Sequence, residues 1–230
     1  MRRIDPSRAV LVFWSDLVFH EAALLADDEA KHLAAPVSQA LDEFNTILKI
    51  DLDTRRGELK ASARASIADA HLNDALRKLH NATLFLVGQD RKQPQFKTLF
   101  SESIDKVIRF ALKRQIEVAA DIVGKLALKL YTDDFKTTHV GLLQPLIDHG
   151  KTIVQEVRGA ALARTEARLD VRAWKDNANA IRLANYGELV AIAGRTGRKK
   201  DWADAFFLSN KTAPVDDTDE QGDEDDPDEA

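Results

Sequence analysis

His20 and Glu21 form the start of a zinc-protease helix signature, in which two histidines four residues apart hold the metal and the glutamate acts as base. The second histidine would stand where the chain has Leu24, so the pair that would share one helical face is missing. His71 and His80 are nine residues apart, and His139 and His149 ten. Neither spacing brings two rings onto one turn of helix. All six histidines therefore read as solvated or capping side chains. The chain has no cysteine, which removes thiolate metal sites, disulfides and a cysteine nucleophile while leaving the redox compartment open.

The run Gly194-Arg195-Thr196-Gly197-Arg198-Lys199-Lys200 invites comparison with a phosphate loop. A P-loop needs four residues between its glycines, then Lys and Ser or Thr, after a strand. Here two residues separate the glycines and the preceding pattern is helical. The first reading is a helix C-terminus whose bases complement the dipole. The second is a general anion site made by Arg195, Arg198, Lys199 and Lys200.

Paired carboxylates occur at Asp69 with Asp74 and at Glu166 with Asp170. The second pair has the i,i+4 spacing that could hold a divalent cation, but Arg164, Arg168, Arg172 and Lys175 surround it, and intrahelical ion pairs account for it. Arg164, Arg168 and Arg172 step by four, so with Lys175 they make a slowly winding basic stripe. Such a stripe can follow phosphates or an acidic partner, or it can be a solvated helix face. Aromatics do not interleave with the bases as a stacking platform would. No catalytic residue, metal ligand or cofactor is assigned.

The elements that carry these residues are helical throughout. With 10 Gly and 6 Pro in 230 residues, long segments run without breakers, and no alternating apolar pattern suggests a strand. Asp5-Pro6 reads as a cap and first position of a helix over 6–33, with Val10, Phe13, Leu17 and Leu24 on one side. A second helix covers 36–87. Its stripe is Val37, Leu41, Phe44, Leu48 and Leu52, then Ala65, Ala68, Leu72, Ala75, Leu79, Ala82 and Leu86, with Gly57 as a kink or break. Gly88 is its C-cap. Gln89 to Phe100 is a loop with Phe96, Leu99 and Phe100 tucked inward. A third helix covers 102–131. Pro145 opens a fourth, over 145–193, with a seam of Ile153, Val157, Ala160, Ala167, Val171, Trp174, Ala178 and Ile181. Arg164 occupies the one seam position that should be apolar, and Asn185 the next after Ile181. A short helix over 201–208 carries Trp202, Phe206 and Phe207 as a hydrophobic plug.

The expected fold class is all-α: an elongated antiparallel helical bundle with coiled-coil character over 1–213, a short aromatic C-terminal helix, and a disordered acidic tail over 214–230. Ten acids and no base lie from Asp216 onward, so the remaining 28 acids face all 33 bases and the body is about +5.

Residues Asp74-Ala75-Leu76, Gly88-Gln89-Asp90-Arg91, Pro94-Gln95-Phe96, Leu99-Phe100, Tyr186-Gly187-Glu188-Leu189 and Trp202-Ala203-Asp204-Ala205-Phe206-Phe207 resemble uncharacterised bacterial proteins of this length. The resemblance spans about 70–208. It implies long helices with a loop cap and an end plug, and no catalytic residue.

No secretory signal, membrane anchor or membrane span is read, and the expected location is cytoplasmic. The expected function is non-enzymatic interaction or scaffolding, through a protein partner or self-association. The alternative is nucleic-acid binding by a basic helical surface modulated by the acidic tail. A third reading, an enzyme with a site in the bundle core, would need convergent polar residues on facing helices. No small-molecule ligand is expected.

Overall fold

The computed structural model describes residues 3–199 and 201–208, and among these every regular element is helical. In chain order they are α1 (Val10–Leu25), a 3-10 turn (Lys31–Leu33), α2 (Ala35–Leu86), α3 (Pro94–Leu99), α4 (Ile104–Val107), α5 (Leu112–Leu126), α6 (Asp133–Thr196) and α7 (Asp201–Asp204). The all-helical expectation is met. No helix among the described residues is long and apolar enough to cross a membrane. The tail assigned to 214–230 lies outside the described residues.

The chain divides into two compact units, 1–45 with 172–230, and 46–171. In the first, α1 runs against the start of α2 and beside the end of α6. Phe13, Leu17 and Leu24 of α1 are fully buried, with Val37 and Phe44 of α2 and Trp174 and Leu189 of α6. Trp174 lies between the rings of Phe13 and Phe44, at 6.5 and 5.1 Å. Its indole N–H donates to the carbonyl of Ala40 at 2.8 Å, satisfying the one polar atom of a buried ring.

In the second unit α2 and α6 run antiparallel, as the pairs Asp51–Arg164 and Arg64–Glu156 show. Its core gathers Leu72, Leu76 and Leu79 of α2, Phe96 and Leu99 of α3, Ile116 and Ile122 of α5 and Leu143 and Ile147 of α6. Gly150 lets α5 close on α6: a Cβ there would stand 2.8 Å from the tip of Ile116. Phe96, Leu99 and Phe100 are inward as expected, although Pro94 opens a short helix where a loop was expected.

Several boundaries differ from the sequence expectation, each for a physical reason. α1 begins at Val10 because Asp5 closes a turn instead, accepting from the Ser7 amide at 2.8 Å. Lys175 then donates to the freed carbonyls of Pro6 and Arg8. α1 stops at Leu25, and Asp27 accepts from the Glu29 amide in the turn that follows. α2 passes through Gly57 without a break. Leu52 is exposed, and Ala40 takes the buried place expected of Leu41. The expected third helix splits into α4 and α5, and the buried amide of Gln115 donates to the carbonyls of Ile108 and Phe110 at the break. α6 begins at Asp133, twelve residues before Pro145, behind Thr132, whose hydroxyl accepts from the Phe135 amide at 3.4 Å. Asp133 and Asp134 then complement the dipole of the first turn. Pro145 is tolerated inside the helix because it and Gly141, whose carbonyl loses its partner, both face solvent. α6 ends at Thr196, with Gly197 left-handed at φ 69° and the Arg198 amide bonded back to Ala193 at 2.9 Å, a Schellman cap. α7 is shorter than expected, and Phe206 and Phe207 lie beyond it.

Candidate functional site

Four polar side chains that the sequence reading left unpaired meet inside the first unit. α6 carries its buried stripe through Trp174, Ala178, Arg182, Asn185, Leu189 and Ile192. Two successive steps of four, Trp174 to Ala178 to Arg182, replace the expected step to Ile181. That shift turns Arg182 inward, where it meets Asp16 of α1: Nε and Nη2 of the guanidinium face the two carboxylate oxygens, with Nη2–Oδ1 at 3.2 Å. Arg182 also lies 5.4 Å from the ring centre of Phe207. Burial raises the Asp16 carboxyl above its ordinary range while Arg182 opposes the rise, and burial lowers the Arg182 guanidinium while Asp16 supports it.

One turn along, His20 is fully buried. Its Nδ1 is 2.8 Å from the carbonyl of Phe206, so that nitrogen carries the hydrogen. Nε2 then accepts from the amide of Asn185 at 3.0 Å, and the same Asn185 nitrogen donates to the Leu33 carbonyl at 3.2 Å. Phe207 stacks on the imidazole at 4.3 Å. Burial above all holds His20 neutral, pulling its pKa down to about 4, with Arg182 acting in the same direction against the Phe206 bond. The arrangement ties the segment after α7 to α1, to α6 and to the turn before α2. A sequence signal existed for part of it: Asn185 falls on the seam, and Asp16 interrupts an apolar run.

The predicted basic stripe divides. Arg164 is largely buried and bonded to Asp51 of α2, to its carboxylate and, at 3.2 Å, to its carbonyl. Lys175 is spent on the carbonyls of Pro6 and Arg8 and lies 5.5 Å from the Phe13 ring centre. Arg168 and Arg172 are exposed. In the predicted anion site, Arg198 pairs with Asp27 and Glu29, each at 3.2 Å, and covers the Trp202 ring at 4.6 Å. Arg195 and Lys199 are exposed, and Lys200 lies outside the described residues.

In the second unit, two places could admit a ligand. A recess of about 210 Å³ is lined by Leu99, Phe100, Glu102, Arg114, Glu117 and Asp121. An apolar groove between α2 and α6 brings His71 near His149, with Ala68 and Ile153. Among the described residues no group of three or more histidines, cysteines or carboxylates could hold a metal ion.

The remaining feature is on the outside of α1. Leu11, Val12, Trp14, Val18, Phe19 and Leu25 are all exposed by more than a third of their surface, with Ser15 and Ala22 exposed between them. The helix has two acids, and neither relieves this face. Asp16 is buried, and Glu21, half-buried, accepts from the Ser38 hydroxyl. At 100° per residue these apolar side chains cover about half the circumference. A helix apolar all round belongs in an interior, yet half of α1 faces outward in this chain.

No protein-family model matches the chain, and no curated protein or solved structure matches it.

Proposed function

We propose that the protein is a non-enzymatic interaction protein that binds or organises another polypeptide through the outer face of α1. The observation that carries this reading is the uncharged, apolar, exposed half of that helix, in a chain of which 31% is charged. Contiguous exposed apolar surface marks interaction sites. The buried polar groups beneath it are the convergent set on facing helices that a core-site enzyme would need, but here they bond within the fold. Asp16, Arg182, His20 and Asn185 are turned toward one another and toward backbone carbonyls, an arrangement that fixes α1 in place and presents its other side.

A second reading, nucleic-acid binding, draws on Arg168 and Arg172, exposed one turn apart on α6. A phosphate-tracking role would be sequence-independent and would weaken steeply with salt. Two of the four bases in the predicted stripe are occupied within the chain, which favours the first reading.

Photo-crosslinking separates the two. A crosslinking amino acid replaces Val18 in one variant and Arg168 in another, and each full chain is irradiated in cell extract. The first reading expects polypeptide adducts from position 18 and none from position 168. Adducts to nucleic acid from position 168, with none from position 18, would overturn it, and comparison with a chain lacking 214–230 would then show whether the acidic tail competes.

A further inference from the structure

We infer that the occupant of the α1 face is a second copy of this chain, seated antiparallel across a twofold axis at Val18; this rests on the interaction reading above. The pairing follows from where the side chains stand. Viewed down the helix at 100° per residue, Leu11 and Leu25 lie equally far to either side of Val18, and so do Trp14 and Ala22. A twofold axis through Val18 therefore sets Leu11 against Leu25 of the second copy, and Trp14 against Ala22 of the second copy. Large meets small at the Trp14 position, which is the condition for helices to approach closely. A parallel pair would instead set the two indoles against each other.

The chemistry and size also fit a second copy. A closed twofold interface is made of one patch used twice, so a patch carrying charge of one sign meets the same sign across the axis. This face carries none, since Asp16 is buried and Glu21 is engaged with Ser38. Trp14 is held ready by stacking on Phe44 at 6.1 Å. The paired side chains Leu11, Trp14, Val18 and Leu25 expose roughly 400 Å² per copy, or about 800 Å² for the pair, with Phe19 and Val12 further round the helix at its rim; this is the size of a weak, reversible interface. The residues after Leu208 cannot serve as the cover, because their apolar residues are only Ala213, Pro214, Val215, Pro227 and Ala230 among ten acids. A lipid surface is disfavoured because interfacial helices flank their apolar face with Lys and Arg, and α1 has none.

The test uses the full purified chain. Sedimentation equilibrium should return twice 25.6 kDa at micromolar concentration. Val18→Lys and, independently, Leu11→Glu should return the single mass with helical content unchanged because both sites are exposed in the single chain, and should melt at a temperature that no longer depends on protein concentration. The absence of cysteine allows the orientation to be read directly. Val18→Cys should form an intermolecular disulfide on mild oxidation. Leu11→Cys alone should not, because antiparallel copies hold those positions about 21 Å apart. Leu11→Cys mixed with Leu25→Cys should give the mixed disulfide. Dimers from Leu11→Cys alone would overturn the antiparallel pairing. A single mass for the native chain would overturn the second copy: heterologous polypeptide adducts at position 18 would then leave the interaction reading standing, and binding to lipid vesicles abolished by Val18→Lys would assign the face to a membrane surface instead.

Discussion

Asn185 donates to Nε2 of His20 at 3.0 Å, closing the hydrogen-bonding of an imidazole that burial already keeps neutral. With Nδ1 committed to the Phe206 carbonyl, a second proton on Nε2 would point at an amide donor. Burial above all, with Arg182 adding to it, holds the folded-state His20 neutral at a pKa of about 4, whereas the unfolded chain protonates it near 6.5.

The first prediction is an acid-sensitive stability with a defined sign. Between about pH 6.5 and 4 the unfolded state binds the His20 proton and the folded state does not, so stability is present above this window and lost as pH falls through it. The slope from one such group approaches about 1.4 kcal/mol per pH unit. His139, also lowered by burial, adds in the same direction, and Asp16, raised by burial, opposes at the acid end. Urea unfolding of the native chain and of His20→Gln at pH 7, 6 and 5 isolates the His20 share. The variant should lose less stability between pH 7 and 5 than the native chain. Equal losses would show that His20 is reached by solvent.

The second prediction concerns the ion pair one turn away. Asp16→Asn removes the carboxylate that faces the buried Arg182 guanidinium and should cost roughly 3–5 kcal/mol, while replacing both by apolar residues of similar volume should cost far less. A double-mutant cycle with Asp16→Leu and Arg182→Met, read by denaturant midpoint, checks this. If the double variant is as unstable as Asp16→Asn, Arg182 is also needed where it covers Phe207.

The ease with which the long helices could be read, and the difficulty of reading this cluster, share one cause. Steps of three and four residues locate α2 and α6 because the burial of an apolar stripe dominates helix placement. The same steps would bury Ile181. The structure instead takes two steps of four and buries Arg182, a choice made by Asp16 from a helix 166 residues away. Pro145 misled for a related reason: a proline reads as a helix start until it is known that its face is exposed. The break between α4 and α5 has no Gly or Pro to announce it. The outer face of α1 was legible only as an absence, the lack of charge on eight positions, because apolar periodicity marks only the buried side.

The third prediction tests the aromatic segment after α7. Phe207 is buried, stacks on His20 and meets Tyr186 edge-on at 5.8 Å. Phe207→Ala should cost roughly 3–5 kcal/mol and should raise the His20 pKa by admitting water. Trp202 is only partly buried, so Trp202→Ala should cost less. Thermal melts rank the two variants, and the imidazole proton resonances titrate His20. A silent Phe207→Ala would mean that the ring does not cover the cluster in solution.

The fourth prediction concerns Arg164 in the second unit. Between Phe44 and Ala61 of α2 no residue is fully buried, so along this stretch few apolar contacts fix how α2 and α6 register. Arg164 supplies the polar mark, bonded to the carboxylate and carbonyl of Asp51, where its seam neighbours Ala160 and Ala167 are small enough to pack in more than one register. A single polar seam residue can specify register at little net stability. Arg164→Leu should therefore keep the fold and shift stability by no more than about 1 kcal/mol, because the Asp51 carboxylate retains access to water at 26% exposure. Its effect should appear in alignment. Spin labels on Leu59→Cys and Arg158→Cys should give one narrow distance distribution in the native background and a broadened or doubled one with Arg164→Leu. A narrow distribution together with a loss above roughly 3 kcal/mol would make the pair an energetic support rather than a register mark, and a chain unchanged in both measurements would show that the alanine-lined seam aligns itself.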